Sequence, residues 1–134
     1  MNRKYRKTII AGNWKMNLLP SEVKNYGENL KKLVTRPKWC EIVICPPSLM
    51  LPAAVKAFKD ARIYVGAQNV CTEEKGAYTG EISAAQIKDL GVRYVIVGHS
   101  ERRQYYGETD KNVSFKVRAA LENGIKPIIC VGES

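Results

Sequence analysis

Five short apolar runs punctuate the chain, starting near Thr8, Glu41, Arg62, Val92 and Lys126. Three of them, Ile42-Val43-Ile44-Cys45, Ile63-Tyr64-Val65 and Ile128-Ile129-Cys130-Val131, contain almost no polar residue. A strand with one wet face alternates polar and apolar side chains. A strand covered on both faces does not, and such strands belong to parallel sheets flanked by helices. The segments between the runs have a helical period. Val23, Tyr26, Leu30 and Leu33 recur at spacings of three and four behind Ser21, a good N-cap type. Leu49-Met50-Leu51 leads into a helix over 53–58. Ser83-Ala84-Ala85-Gln86 reads as a capping box, and Gly91 suits the residue after a helix end. The last helix follows Asp110, carries Val113, Val117, Ala120 and Leu121, and stops at Gly124. Pro37, Pro46, Pro47 and Pro127 fall between elements or at their edges, where a missing N–H does least harm. The order β-α-β-α-β-α-β-α-β predicts an α/β fold with right-handed crossovers and one parallel sheet.

Composition narrows the function classes. A length of 134 residues fits one domain or part of one, and no composition shift marks a second. No run approaches the roughly 18 apolar residues of a membrane helix. The apolar stretch behind the basic start is only Thr8 to Ala11, short of the about 7–15 residues of a signal-peptide core, so a cytoplasmic protein is expected. Net charge is +9. The cations are scattered over helical segments without interleaved aromatics, which argues against a nucleic-acid surface. The same positive field suits an anionic metabolite. Cys40, Cys45, Cys71 and Cys130 form no C-x-x-C pair, so a metal site is not expected and small buried hydrophobes in a reducing compartment are.

In a parallel α/β sheet all strand C-termini point to one face, where chemistry is done. Asn13-Trp14-Lys15 follows the first run and His99-Ser100-Glu101 follows the fourth, so these polar groups should converge there. A lysine at that rim can hold a phosphate or oxyanion. His99, the only histidine, precedes a short helix start, whose N-terminus disfavours positive charge on the ring. A neutral imidazole can polarise a carbonyl. Glu101 can pair with Lys15 and orient it, and Asn13 can donate a hydrogen bond. Each also has a plain structural use: a surface lysine, a satisfied histidine, a carboxylate on a helix dipole, a turn asparagine. The connection from Val70 to Gly80 is unusually long, and such loops are either solvated surface or interaction elements.

At these motifs the chain resembles the triosephosphate isomerase family. Ala11-Gly12-Asn13-Trp14-Lys15-Met16-Asn17 is similar to that family's first-strand motif, and Tyr94-Val95-Ile96-Val97-Gly98-His99-Ser100-Glu101-Arg102-Arg103 to its fourth. Gly66-Ala67-Gln68-Asn69 and Cys130-Val131-Gly132-Glu133 fit its third and fifth strand ends. The resemblance implies a TIM (β/α)₈ barrel, of which residues 1–134 supply the first four βα units and strand five. It implies interconversion of dihydroxyacetone phosphate and glyceraldehyde 3-phosphate through an enediolate, without metal or organic cofactor. Lys15, His99 and Glu101 would be the catalytic set and Asn13 and Lys15 the substrate contacts. Lys15 would stabilise negative charge, neutral His99 would shuttle protons between two oxygens, and Glu101 would partner Lys15. A catalytic histidine kept neutral by a helix N-terminus is a known property of this family, so for His99 that neutrality is implied by the resemblance. The family is dimeric, and Tyr78 and Thr79 would sit at the tip of the intersubunit loop.

A (β/α)₈ barrel takes about 250 residues. By the resemblance, the glutamate base belongs to the sixth strand end, and the lid and phosphate loops lie further on. Glu133 is on the wrong strand for the base. The chain alone is therefore expected to be inactive, to expose apolar edges at its first and fifth strands, and to need a complementary C-terminal half. A non-catalytic half-barrel that self-associates is the other reading of the same edges.

Overall fold

A computed structural model describes residues 6–34 and 39–132. Every apolar run is a strand: β1 (Thr8–Asn13), β2 (Cys40–Cys45), β3 (Ile63–Ala67), β4 (Tyr94–Val97) and β5 (Lys126–Ile129). They form one sheet in the order β1-β2-β3-β4-β5, with every neighbouring pair parallel. The sheet is curled as half of an α/β barrel of the TIM type. Helices α1 (Val23–Leu33), α2 (Leu51–Phe58), α3 (Ala84–Leu90) and α5 (Asp110–Glu122) make the crossovers, and a short α4 (Ser100–Tyr105) is inserted directly after β4.

Local chemistry explains most boundaries. At α3, Ser83 Oγ accepts from the Gln86 N–H at 3.2 Å and Gln86 Oε1 accepts from the Ser83 N–H at 2.9 Å. Gly91 then ends the helix with φ 103°. Thr109 and Asn112 make the same reciprocal cap at α5. Ser21 is not the cap its residue type suggests. It lies inside a 3₁₀ turn over Pro20–Glu22 that runs straight into α1, with Leu19 at the cap position and the Leu19 N–H donating to Glu22 Oε2 at 2.7 Å. Pro20 has the φ of a first helical position, so the turn begins before the serine. Pro127 is likewise within β5, paired with Val95, rather than beside it. The N–H groups of Lys126 and Cys130 donate toward β4, so by strand alternation Pro127 lacks its N–H on the opposite side, where a sheet tolerates it. Pro37 is outside the described residues.

Both faces of the central strands β2, β3 and β4 are covered, which is why these strands do not alternate. Outside, Val23, Phe58, Val65, Ile87, Val95, Val97, Val113 and Ala120 pack sheet against helices. A side chain the size of Phe58 or Ile87 contributes about 1.5–3 kcal/mol when fully buried. Inside the curl, Val43, Cys45, Tyr94 and Ile96 form a second cluster with Tyr64, Ile128 and Cys130 against it. Burial pushes the Cys45 thiol up to about 12, so it stays a small apolar group. Among the described residues β1 and β5 each have one strand partner, and Ile9, Ile10 and Ile129 are exposed there. Among the same residues no helix is long and apolar enough to cross a membrane.

Candidate active site

β1 and β4 end at the same rim, and this register brings the two polar motifs together. Lys15 Nζ lies 2.8 Å from Glu101 Oε1, although 86 residues separate them in sequence. The hydrogen bond to Glu101 holds the Lys15 ammonium above its ordinary pKa. The same bond to Lys15 holds the Glu101 carboxyl below its own. Both side chains stay substantially exposed, so the pair is ionised and reachable.

The backbone behind Lys15 is unusual. Its φ is 56°, the left-handed region that non-glycine residues enter at a cost of roughly 1–2 kcal/mol. Asn13 Oδ1 accepts the Lys15 N–H at 2.9 Å, so Asn13 forms a local turn with its side chain. The Trp14 N–H donates to the Cys45 carbonyl at 3.0 Å, and Asn17 Nδ2 donates to the Trp14 carbonyl at 2.8 Å.

His99 is the N-cap of α4. Its Nδ1 accepts the Glu101 N–H at 3.1 Å, so in a neutral ring the proton sits on Nε2. The preceding Gly98 has φ 70°, and a Cβ there would lie 2.9 Å from the Arg103 guanidinium and 3.0 Å from Val113. Arg103 Nε donates to the Gly98 carbonyl at 2.8 Å. The turn that presents His99 is therefore built around the absence of a side chain at 98.

Asn13, Lys15, His99 and Glu101 share the lining of a hollow of about 410 Å³. Tyr78 and Thr79 do not line it. They lie on the loop joining β3 to α3, exposed and projecting. That loop is pinned at its neck by the Cys71 N–H donating to the Ile82 carbonyl at 2.8 Å, and folded at its tip by the Glu81 N–H donating to the Tyr78 carbonyl at 3.0 Å.

Behind the rim lies a cluster that reading the residue types missed. Lys116 Nζ donates to Glu108 Oε1 and, at 2.8 Å, to Asn69 Oδ1, while Arg102 Nε lies 3.6 Å from Glu108 Oε2. Lys116 and Glu108 are buried. Lys116 falls three residues after Val113 and four before Ala120, on the inward face of α5; that spacing was the available signal. Gln68, also at the rim, donates to two carbonyls from neighbouring strand ends. Among the described residues no group of three or more His, Cys, Asp or Glu side chains is placed to hold a metal ion.

Comparison with known proteins agrees with this geometry. The family model described as triosephosphate isomerase matches residues 8–134. The chain is 52% identical over 129 residues to the triosephosphate isomerase of Clostridium novyi, covering 96% of this chain and 51% of the relative. It is 54% identical over 129 residues to that of Acetivibrio thermocellus, covering 96% and 51%. For that of Trichodesmium erythraeum the identity is 52% over 130 residues, covering 96% and 54%. The chain thus spans about half the length of the curated relatives it matches. With strands, rim motifs and sequence in agreement, the chain belongs to the triosephosphate isomerase family.

Proposed function

We propose that residues 1–134 are the N-terminal portion of a single TIM-barrel domain. It acts in the cytoplasm and carries the electrophilic half of a triosephosphate isomerase site, interconverting dihydroxyacetone phosphate and glyceraldehyde 3-phosphate. The observation that supports this most is the 2.8 Å contact of Lys15 and Glu101 beside His99 on one strand-end rim. The Lys15 ammonium supplies positive charge where the phosphate and the developing enediolate oxygen need it. Nε2 of His99 donates to the substrate carbonyl and returns the proton between the two oxygens. Asn13 positions substrate, and Glu101 keeps Lys15 charged and aimed.

Proton abstraction from carbon needs a base, and the family's glutamate belongs to a sixth strand end. Without it, 134 residues alone lose general-base assistance worth about 10²–10⁴-fold, and the grip on phosphate besides. The active form pairs this chain with a complementary C-terminal half. The projecting loop bearing Tyr78 and Thr79 meets a second copy in a homodimer. The test is a coupled assay of triose phosphate turnover, run on the chain alone and after mixing with the C-terminal half of the Acetivibrio thermocellus relative. Negligible turnover alone and restored turnover in the mixture is expected. Near-normal turnover alone, or none in a mixture that does assemble, refutes the reading.

The exposed Ile9, Ile10 and Ile129 favour one alternative, a non-catalytic half-barrel that buries its edges against another copy. Light scattering with and without the complementary half separates the two. A stable homo-oligomer that ignores the added half supports the alternative.

A further inference from the structure

Gln68 follows β3 and reaches sideways along the rim. Its Nε2 donates to the Lys15 carbonyl at 2.8 Å and to the Cys45 carbonyl at 2.9 Å. A side-chain amide nitrogen has two N–H donors, and both are used. One amide thus ties the ends of β1, β2 and β3 at a single point.

The tie falls on Lys15, one of the two left-handed non-glycine residues among those described (the other is Leu18). A left-handed non-glycine backbone persists only where its surroundings over-determine it. Both polar groups of the Lys15 main chain are held: the N–H by Asn13 Oδ1 and the carbonyl by Gln68 Nε2. The Asn13 bond is local, two residues away, and moves with the segment. The Gln68 bond spans 53 residues and fixes the Lys15 peptide to another strand. If φ relaxed from 56° to the ordinary helical value near −63°, the side chain would swing by about 120°. An ammonium at the end of a four-carbon stem then moves several ångströms and leaves Glu101.

We infer that Gln68 is a positioning residue that locks the Lys15 backbone in its left-handed conformation and so aims the Lys15 ammonium at Glu101 and at the substrate's negative charge. This rests on the reading of Lys15 as the substrate cation. Gln68 itself touches no reacting atom; its effect passes through Lys15.

The experiment uses the chain assembled with the complementary half, with two readouts. One is turnover. The other is the Glu101 carboxyl titration by carbon-13 NMR. Gln68→Met keeps the length and apolar stem of the side chain and removes both donors. Turnover should fall about 10- to 100-fold, as expected for a catalytic group displaced by an ångström or more. The Glu101 carboxyl should titrate higher than in the parent, because Lys15 no longer sits on it. Far-UV circular dichroism and assembly stoichiometry should not change, and the near-isosteric variant separates positioning from simple unfolding. An assembled Gln68→Met complex with unchanged kcat and unchanged Glu101 titration overturns the inference.

If Gln68→Met does not assemble, Gln68→Glu decides. An ionised carboxylate facing two carbonyls donates nothing, whereas the protonated acid donates one hydrogen bond. Its turnover relative to the parent should therefore rise as pH falls from about 8 to about 5.5, with a carboxyl kept protonated by its acceptors. A flat ratio overturns the inference. If the parent complex itself does not turn over triose phosphate, the isomerase reading fails. The lock is then judged by the Glu101 titration alone.

Discussion

Lys116→Met is the sharpest single perturbation of the architecture behind the site. Glu108 is a carboxylate with its side chain only 3% exposed. Lys116 Nζ is the hydrogen-bond donor on Oε1, while Oε2 has no hydrogen-bond partner among the described residues and sees Arg102 Nε only at 3.6 Å. Removing the ammonium leaves the whole carboxylate without a hydrogen bond and takes the donor from Asn69 Oδ1 as well. Breaking a buried ion pair from one side costs about 3–5 kcal/mol. Arg102 Nε, 3.6 Å from Oε2 and itself buried, keeps a counter-charge on the carboxylate. A loss of about 3 kcal/mol, the low end of that range, is therefore expected, more than a hundredfold in the folding equilibrium. Lys116→Met/Glu108→Leu removes both charges and should recover most of that loss, because replacing a buried pair by apolar groups is near neutral. Urea unfolding of the assembled barrel, followed by far- and near-UV circular dichroism, measures both variants. A cost below about 1 kcal/mol for Lys116→Met, or a double variant no better than the single, refutes the reasoning.

Two further outcomes are expected. Gly98→Ala imposes a Cβ on a residue at φ 70° and drives it against Arg103 and Val113. A cost of about 2–4 kcal/mol in urea unfolding follows from left-handed strain plus overpacking, and a well-folded variant of parental stability contradicts this. Stability should also depend on pH through the Tyr94–Glu41 hydrogen bond. That bond from Tyr94 holds the Glu41 carboxyl below its usual value, so its contribution is full above about pH 4.3 and is lost as pH falls through the depressed native value. Burial, helped by Glu41, raises the Tyr94 hydroxyl, so its contribution is full below about pH 10 and is lost as pH rises toward the native value. Tyr94→Phe should weaken the acid dependence and cost about 1.5–3 kcal/mol at neutral pH, measured by denaturant titrations across pH.

The strands were legible because burial on both faces leaves an unbroken apolar signature in Ile42 to Cys45 and Tyr94 to Val97. The α3 cap was legible because Ser83 and Gln86 satisfy each other within four residues. The pairing of Lys15 with Glu101 came into reach only through the topological rule that parallel strands end together. What escaped depends on three-dimensional proximity that no local spacing encodes. Gln68 looks like any polar residue after a strand until the carbonyls of Lys15 and Cys45 are beside it. Lys116 sits at a core-facing spacing in α5, but nothing in sequence joins it to Glu108 or Asn69. Ser21 failed as a cap because Pro20 started the turn first, and cap types compete within a residue or two.

The carbonyl of Cys45 receives donors from both sides, Trp14 and Gln68. Strand β2 lends no side chain to the proposed reaction, yet its final peptide is the benchmark from which the lysine segment is levelled. Gaining or losing one residue in β2 would therefore turn that oxygen to the other side and unsettle a cation at the end of the neighbouring strand.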